Sequence, residues 1–446
     1  MVVVTVEPPS APGQASPAEE LEPERPGRLR GGLFGHHDFR QLFLAKATSS
    51  VGTQLTVLAM PVLAVKVLHA DAFQMGLLGT CEFLAFLVVG LPAGAWVDRW
   101  RRRRVLVAND LVRAVALASL PLAWAFGVLT LVQLLVVALV VGTCTVFFDV
   151  ADQSYLPEIV ESHQIGDGNA KLQAAESVAM IAGPAIAGGL IKLLGSAFTI
   201  ALDAISFVGS ALFVSRIRHV DVPPPREDRR PLHVEIGEGL RFVLKHPLLW
   251  RITACTSLGN FFNSMSSTLI VLYALDQLGL DAGHLGIIFG VGSVGGLLGA
   301  LSASRVADRV GEGRVIPLSA LAWVPAQTLV PLAGILIAPL VALPISMLVV
   351  SFVVVLYNIT QVSFRQRLCP RPLLGRMNAS IRFIVWGCMP IGSFIGGVLA
   401  STFSIRAVLW VSVAGAFIAA LPVLLSPLIT MGKMPDELDQ LSETPA

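Results

Sequence analysis

Charge is scarce in this sequence. Asp, Glu, Lys and Arg together make up 14% of 446 residues, against about 25% in an ordinary globular chain. That is too little to keep the surface of a soluble protein of this length wet. The two signs nearly cancel, 32 Lys and Arg against 30 Asp and Glu, which excludes the basic excess of a nucleic-acid binder. Cysteine is also sparse. The five (Cys81, Cys144, Cys255, Cys369, Cys388) are scattered, without a CxxC pair, so neither a disulfide framework nor a zinc site is indicated. HExxH, Gly-x-Ser-x-Gly and a P-loop are all missing, and the eight histidines lie in tails or loops. The residues of an intramembrane metalloprotease or an ATP-driven pump are therefore absent. We expect no enzyme, no metal and no cofactor.

Apolar length is abundant instead. Hydrophobic residues reach 54%, and glycine contributes 40 positions. Beyond a Pro-, Glu- and Arg-rich opening, the chain is a series of apolar stretches of about 20 residues, the length that spans a ~30 Å hydrocarbon core. The pattern predicts an all-α integral membrane protein with twelve spans: about 41–65, 73–96, 105–126, 129–151, 170–193, 197–215, 248–274, 283–304, 314–336, 339–362, 378–400 and 403–427. The expected organisation is a disordered cytoplasmic tail (1–38), a six-helix bundle (39–215), a linker (216–247), a second six-helix bundle (248–427) and a polar tail (428–446). In the linker, Ile236, Leu240, Val243 and Leu244 have helical spacing, which suggests an amphipathic helix on the membrane surface. Of the Lys and Arg residues, 26 fall in one alternating set of connections and in the tails. Only Lys66, Lys192 and Arg406 fall in the other set, and Lys46, Arg113 and Arg382 lie inside spans. Basic loops stay cytoplasmic, so both termini are expected inside the cell.

The halves repeat each other. Met75-Gly76-Leu77-Leu78 is answered by Leu285-Gly286-Ile287-Ile288, and Asp98-Arg99 by Asp308-Arg309, both 210 positions later. Asn169-Ala170 is answered by Asn378-Ala379, and each is followed by a glycine pair, Gly188-Gly189 and Gly396-Gly397. A six-helix unit duplicated in parallel implies a site at the interface of the halves near the bilayer midplane, exposed to either side by rocking.

The loop after the second span reads Gly94-Ala-Trp-Val-Asp98-Arg99-Trp100-Arg101-Arg102-Arg103, with a degenerate echo at Asp308-Arg309-Val310-Gly311. With these two copies the chain resembles the major facilitator superfamily, although Arg101 replaces that motif's second glycine. Phe148-Asp149, Asp152, Tyr155-Leu-Pro157, Asn169-Ala170 and Gly183-Pro184 with Gly188-Gly189 resemble its macrolide-efflux and enterobactin-exporter-like branch. The resemblance covers about residues 36 to 428 and implies a secondary active transporter. The expected activity is export of amphiphilic small molecules of drug, macrolide or siderophore type by a monomer in the cell membrane, with proton antiport. The alternatives are an uptake carrier for a small metabolite and a non-transporting receptor. The resemblance further implies a gating latch at Gly94, Asp98 and Arg99 with its copy at Asp308 and Arg309. It also implies an antiporter-like hinge at Gly183, Pro184, Gly188 and Gly189, with three residues between Pro184 and Gly188 where the superfamily's signature has two.

Ionisable residues inside spans are expensive and mark function by default. Glu82 and Glu176 lie on spans expected to line the cavity, Glu82 the deeper, and are coupling candidates together with Asp149 and Asp152. Asp110, Arg113, Asp149 and Asp152 also suit a structural salt-bridge network, and Asp203 sits on a peripheral span. Phe83, Phe86, Phe261, Asn263, Tyr357, Asn358 and Trp386 are the expected cavity lining, because an apolar pocket with few polar groups suits amphiphiles.

Overall fold

The computed structural model describes residues 32–97, 100–161, 164–219, 232–370 and 373–431. Among them are fourteen α-helices: α1 (His37–Lys66), α2 (Ala72–Val88), α3 (Gly90–Val97), α4 (Arg102–Ala125), α5 (Leu131–Ile159), α6 (Ile165–Leu194), α7 (Ser196–Ser215), α8 (Leu232–Lys245), α9 (Leu249–Leu272), α10 (Ala282–Val310), α11 (Glu312–Leu332), α12 (Pro339–Leu368), α13 (Leu374–Thr402) and α14 (Ile405–Leu424). Ten are long and apolar enough to cross a membrane. The remaining two spans are α9, which carries Asn260, Asn263 and several hydroxyls, and the second span, which is broken. Its break, between α2 and α3, has a local cause. Pro92 has no N–H to give to the Val88 carbonyl and its ring crowds that carbonyl, so the helix stops and restarts at Gly90.

The duplication is repeated in the packing. In the first half neighbours run α2, α5, α4, α7, α1, α6, and in the second α10, α12, α11, α14, α9, α13, the same order under the repeat. The end helices then meet across the halves, α2 against α13 and α6 against α10, closing the twelve spans around an internal twofold. The helix starts obey it as well. Asp71 and Asp281 cap α2 and α10, each accepting a 2.8 Å hydrogen bond from the N–H three residues on, while Gln74 and His284 reach back to the cap. Such capping boxes satisfy backbone donors that the first turn leaves over.

We call the end where the described chain begins, at Gly32, and ends, at Met431, the terminal side and the other the far side. The halves are sealed at the far side by glycine on glycine. A Cβ on Gly76 would lie 2.5 Å from the Gly397 Cα, and one on Gly188 would lie 2.7 Å from the Gly286 Cα. These contacts are related by the twofold, and only residues without side chains permit so close an approach. Two ion pairs flank them, Lys66 with Asp276 at 3.9 Å and Lys192 with Asp281 at 3.6 Å. The capping N–H of His284 holds the Asp281 carboxyl below its usual range, so the acid side of the second pair stays ionised. The third far-side cation, Arg406, donates to the Tyr273 hydroxyl at 3.2 Å. All three basic residues that break the charge asymmetry thus have partners on the far side, Arg406 within the second half.

On the terminal side, α8 packs on α13. Gly239 lies against the Arg376 carbonyl, Glu238 pairs with Arg376, and Val243 is fully buried. Its apolar face is therefore spent partly on protein rather than wholly on lipid.

Candidate functional site

Lys46, Arg113 and Arg382, the three basic side chains inside the spans expected from the sequence, are each matched to an acid. Lys46 of α1 donates to Asp152 of α5 at 3.0 Å. Arg113 of α4 donates to Asp110, three residues earlier on its own helix, at 2.6 Å, with its guanidinium between the rings of Phe148 (4.4 Å) and Phe207 (4.3 Å). Arg382 of α13 donates to Asp149 of α5 at 3.0 Å, and this pair crosses from one half to the other. Pairing of this kind is what low dielectric demands, because an isolated charge there costs several kcal/mol.

The pairs differ in access. Asp110 is fully buried and Arg113 nearly so, which makes them internal to the first half. Asp149 and Arg382 keep about 30% of their side-chain surface exposed. Asp149 and Asp152 stand three residues apart, one helical turn, so α5 presents both acids on one face, one to Arg382 and one to Lys46. Lys46 also feels the charges of Glu176 and Asp149.

Aromatic residues gather at the same junction. Phe86 of α2 and Trp386 of α13 lie 4.6 Å apart between ring centres, with Phe83 6.4 Å from Phe86. Arg382 sits over both, 5.8 Å from Phe86 and 5.5 Å from Trp386. One turn before Phe86 on α2, Glu82 is half-buried and has no hydrogen bond or ion pair among the described residues. Its own backbone carbonyl meets Gly142 of α5, where a Cβ would come within 2.3 Å, so α2 and α5 are held close at its depth.

The structure therefore brings Phe83, Phe86, Trp386, Asp149 and Asp152 to one region where the halves meet, with Glu82 adjoining. It does not gather all the expected lining. Tyr357 lies 2.8 Å from the Thr256 hydroxyl inside the second half, and Asn358 is exposed beside Gln361. Phe261 and Asn263 are half-buried on α9, Phe261 edge-on to Phe262, which itself packs against Gly415 of α14. Glu176 is half-buried on α6. Asp203 is buried, accepting from the Thr56 and Ser206 hydroxyls, which ties α7 to α1.

Asp98 and Arg99 lie outside the described residues, and Gly94 falls in α3 just before them. Asp308 and Arg309 are exposed at the end of α10 and make no bond or ion pair among the described residues. At the glycine–proline segment α6 runs on unbroken to Leu194. Gly183 admits the Gln54 side chain of α1, the Pro184 carbonyl and Gly188 receive Gly286, and Gly189 faces open space.

Lys46 and Arg382 are central here; the sequence places both inside spans but assigns neither a role. The signal for them was present: both are cations inside spans, and such residues need partners.

The family model described as Major Facilitator Superfamily matches residues 42–389. The multidrug efflux pump Tap of Mycolicibacterium fortuitum is 30% identical over 379 residues, 82% of this chain and 90% of that protein. The enterobactin exporter EntS of Escherichia coli O1:K1 is 24% identical over 348 residues, covering 77% and 80%. A bacterial homologue of the iron transporter ferroportin shares the fold at 17% identity, covering 87% of this chain and 98% of its own. It superimposes with a TM-score of 0.68 in its inward-facing state, and of 0.57, at 19% identity, in an outward-facing structure. With a family model spanning most of its length, the chain belongs to the Major Facilitator Superfamily.

Proposed function

We propose that this protein is a monomeric exporter of amphiphilic small molecules in the cell membrane, working by alternating access with proton antiport. The excess of basic residues on the terminal side assigns that side to the cytoplasm, which makes the glycine seal the closed outer gate. The observation that carries the reading is the cluster where the halves meet: aromatic surface from both halves around the Asp149–Arg382 pair, with the Glu82 carboxyl, which has no partner among the described residues, beside it. Aromatic faces accept flat apolar bodies without fixing their shape, and an unpaired acid at that depth is a candidate proton carrier. The efflux and export activities named for the two relatives support the outward direction.

The test is accumulation of hydrophobic cations, macrolides and siderophores in a host stripped of its own pumps. Expression should lower the cell content of at least one class, and a protonophore should restore it. Glu82→Gln keeps shape but cannot titrate, so it should abolish concentration against a gradient while leaving downhill exchange. Unchanged accumulation of every class would refute export, and normal pH-driven export by Glu82→Gln would move the coupling site to Glu176 or the Asp149–Asp152 pair.

A further inference from the structure

The Arg382 guanidinium occupies a place with the chemistry of an organic-cation site. A carboxylate, Asp149, holds its edge at 3.0 Å, and two rings from opposite halves, Phe86 and Trp386, lie under it. Anion plus aromatic face is the combination that recognises large, weakly hydrated cations. The occupant is tethered, and it remains about one-third exposed, so it lies at the edge of the site rather than sealed within it.

We propose that Arg382 is an internal stand-in for the substrate's cationic group, and that the substrates are amphiphiles carrying a delocalised or bulky positive charge on an aromatic or lipophilic body. This rests on the transport reading above and names its substrate class. Arriving substrate takes the Phe86–Trp386 shelf and the Asp149 carboxylate, and Arg382 swings off. Because Asp149 belongs to one half and Arg382 to the other, that exchange also removes a bond between the halves. Substrate entry and release of the inner tie are then one event. In the empty protein the tie reforms and the shelf is not left bare. The charged groups facing Asp149 are Arg382 from α13 and Lys46 from α1, with Asp152 one turn along its own helix and Arg113 within electrostatic range on α4. Of these cations, only Arg382 touches the shelf among the described residues.

A protein whose binding-competent state is fractionally populated binds with an affinity reduced by that fraction, so removing the internal occupant should tighten cation binding. The measurement is equilibrium binding of tetraphenylphosphonium, and of its anionic isostere tetraphenylborate, to the purified full chain in detergent. We expect Arg382→Gln to bind tetraphenylphosphonium about tenfold more tightly, by the occupancy argument. Trp386→Leu or Asp149→Asn in that background should remove the gain. Lys46→Gln deletes an equal charge nearby without touching the shelf, and should change affinity by no more than about twofold on the same argument. Melting temperature establishes that each variant is folded. Should Arg382→Gln not fold, Arg382→Lys, which keeps the charge but loses the planar group, takes its place with a smaller gain. An equal gain in Lys46→Gln would reduce the effect to the general field and overturn the proposal, as would no gain, or an equal gain for tetraphenylborate. Binding is read without transport. Efflux by the wild type alongside unchanged binding in Arg382→Gln would leave the exporter reading standing and this one fallen.

Discussion

Arg113 is the most enclosed cation among the described residues, between two phenylalanine rings and against a fully buried carboxylate. Its environment distinguishes the two uses a span can make of charge. Asp110 and Arg113 belong to one helix and one half, so nothing in a rocking motion need part them. Their bond is structural. Removing only the acid strands a buried cation, a loss on the order of 3–5 kcal/mol. Asp110→Ala should therefore lower the melting temperature sharply in detergent, while Asp110→Ala with Arg113→Leu should recover much of it. Equal melting of the single variant and the wild type would deny the pair its role. At this scale the sequence was half legible. Glu82, Asp149 and Asp152 stood out because acids in apolar runs are rare. Arg382 did not, since its meaning depends on Phe86, which is distant in sequence and belongs to the other half.

Among elements, the close approach of α6 and α10 and that of α2 and α13 decide how the halves meet. Adjacent glycines separate contact from mere flexibility. A Cβ at position 188 would strike the Gly286 backbone, whereas at 189 it would meet open space. Gly188→Val should hold the far side apart and raise labelling of a cysteine placed at Ala282, in a background free of native cysteines. Gly189→Val should label and transport like the parent, its energetic effect within about 0.5 kcal/mol as for other uncrowded sites. Similar labelling of both variants would show that the seal does not depend on this contact. Hydrophobic length made the twelve spans visible in the sequence, and their register was visible in the repeat. The interruption after Val88 was not, because Pro92 can as easily begin a bend as a break. The docking of α8 was not either: an amphipathic face does not say whether its partner is lipid or, as here, partly α13.

At the scale of the molecule, the proposed orientation rests on the charge asymmetry. With the native cysteines replaced, a cysteine at Leu336, exposed in the turn between α11 and α12, should react with an impermeant thiol reagent in intact cells. One at Lys245, at the end of α8, should react only after permeabilisation. The opposite result would invert the assigned membrane sides and with them the direction of the closed gate. That both halves share one helix order could be expected from the duplication, but the order itself and which helices close the ring could not. It is set by the pairing of α2 with α13 and α6 with α10, contacts that no single repeat contains.

The glycine seal has a consequence for repeated cycling. Interlocked side chains must each find their rotamer again whenever such a surface closes, and that search costs entropy for every rotor frozen. Faces that meet backbone to backbone at Gly76–Gly397 and Gly188–Gly286 have no rotors to freeze. They also leave no room for a trapped molecule to be tolerated between them. At these two points the gate therefore meets without any such search, and the rotors left to settle at each closure belong to its rim, where Lys66 and Lys192 find Asp276 and Asp281 again.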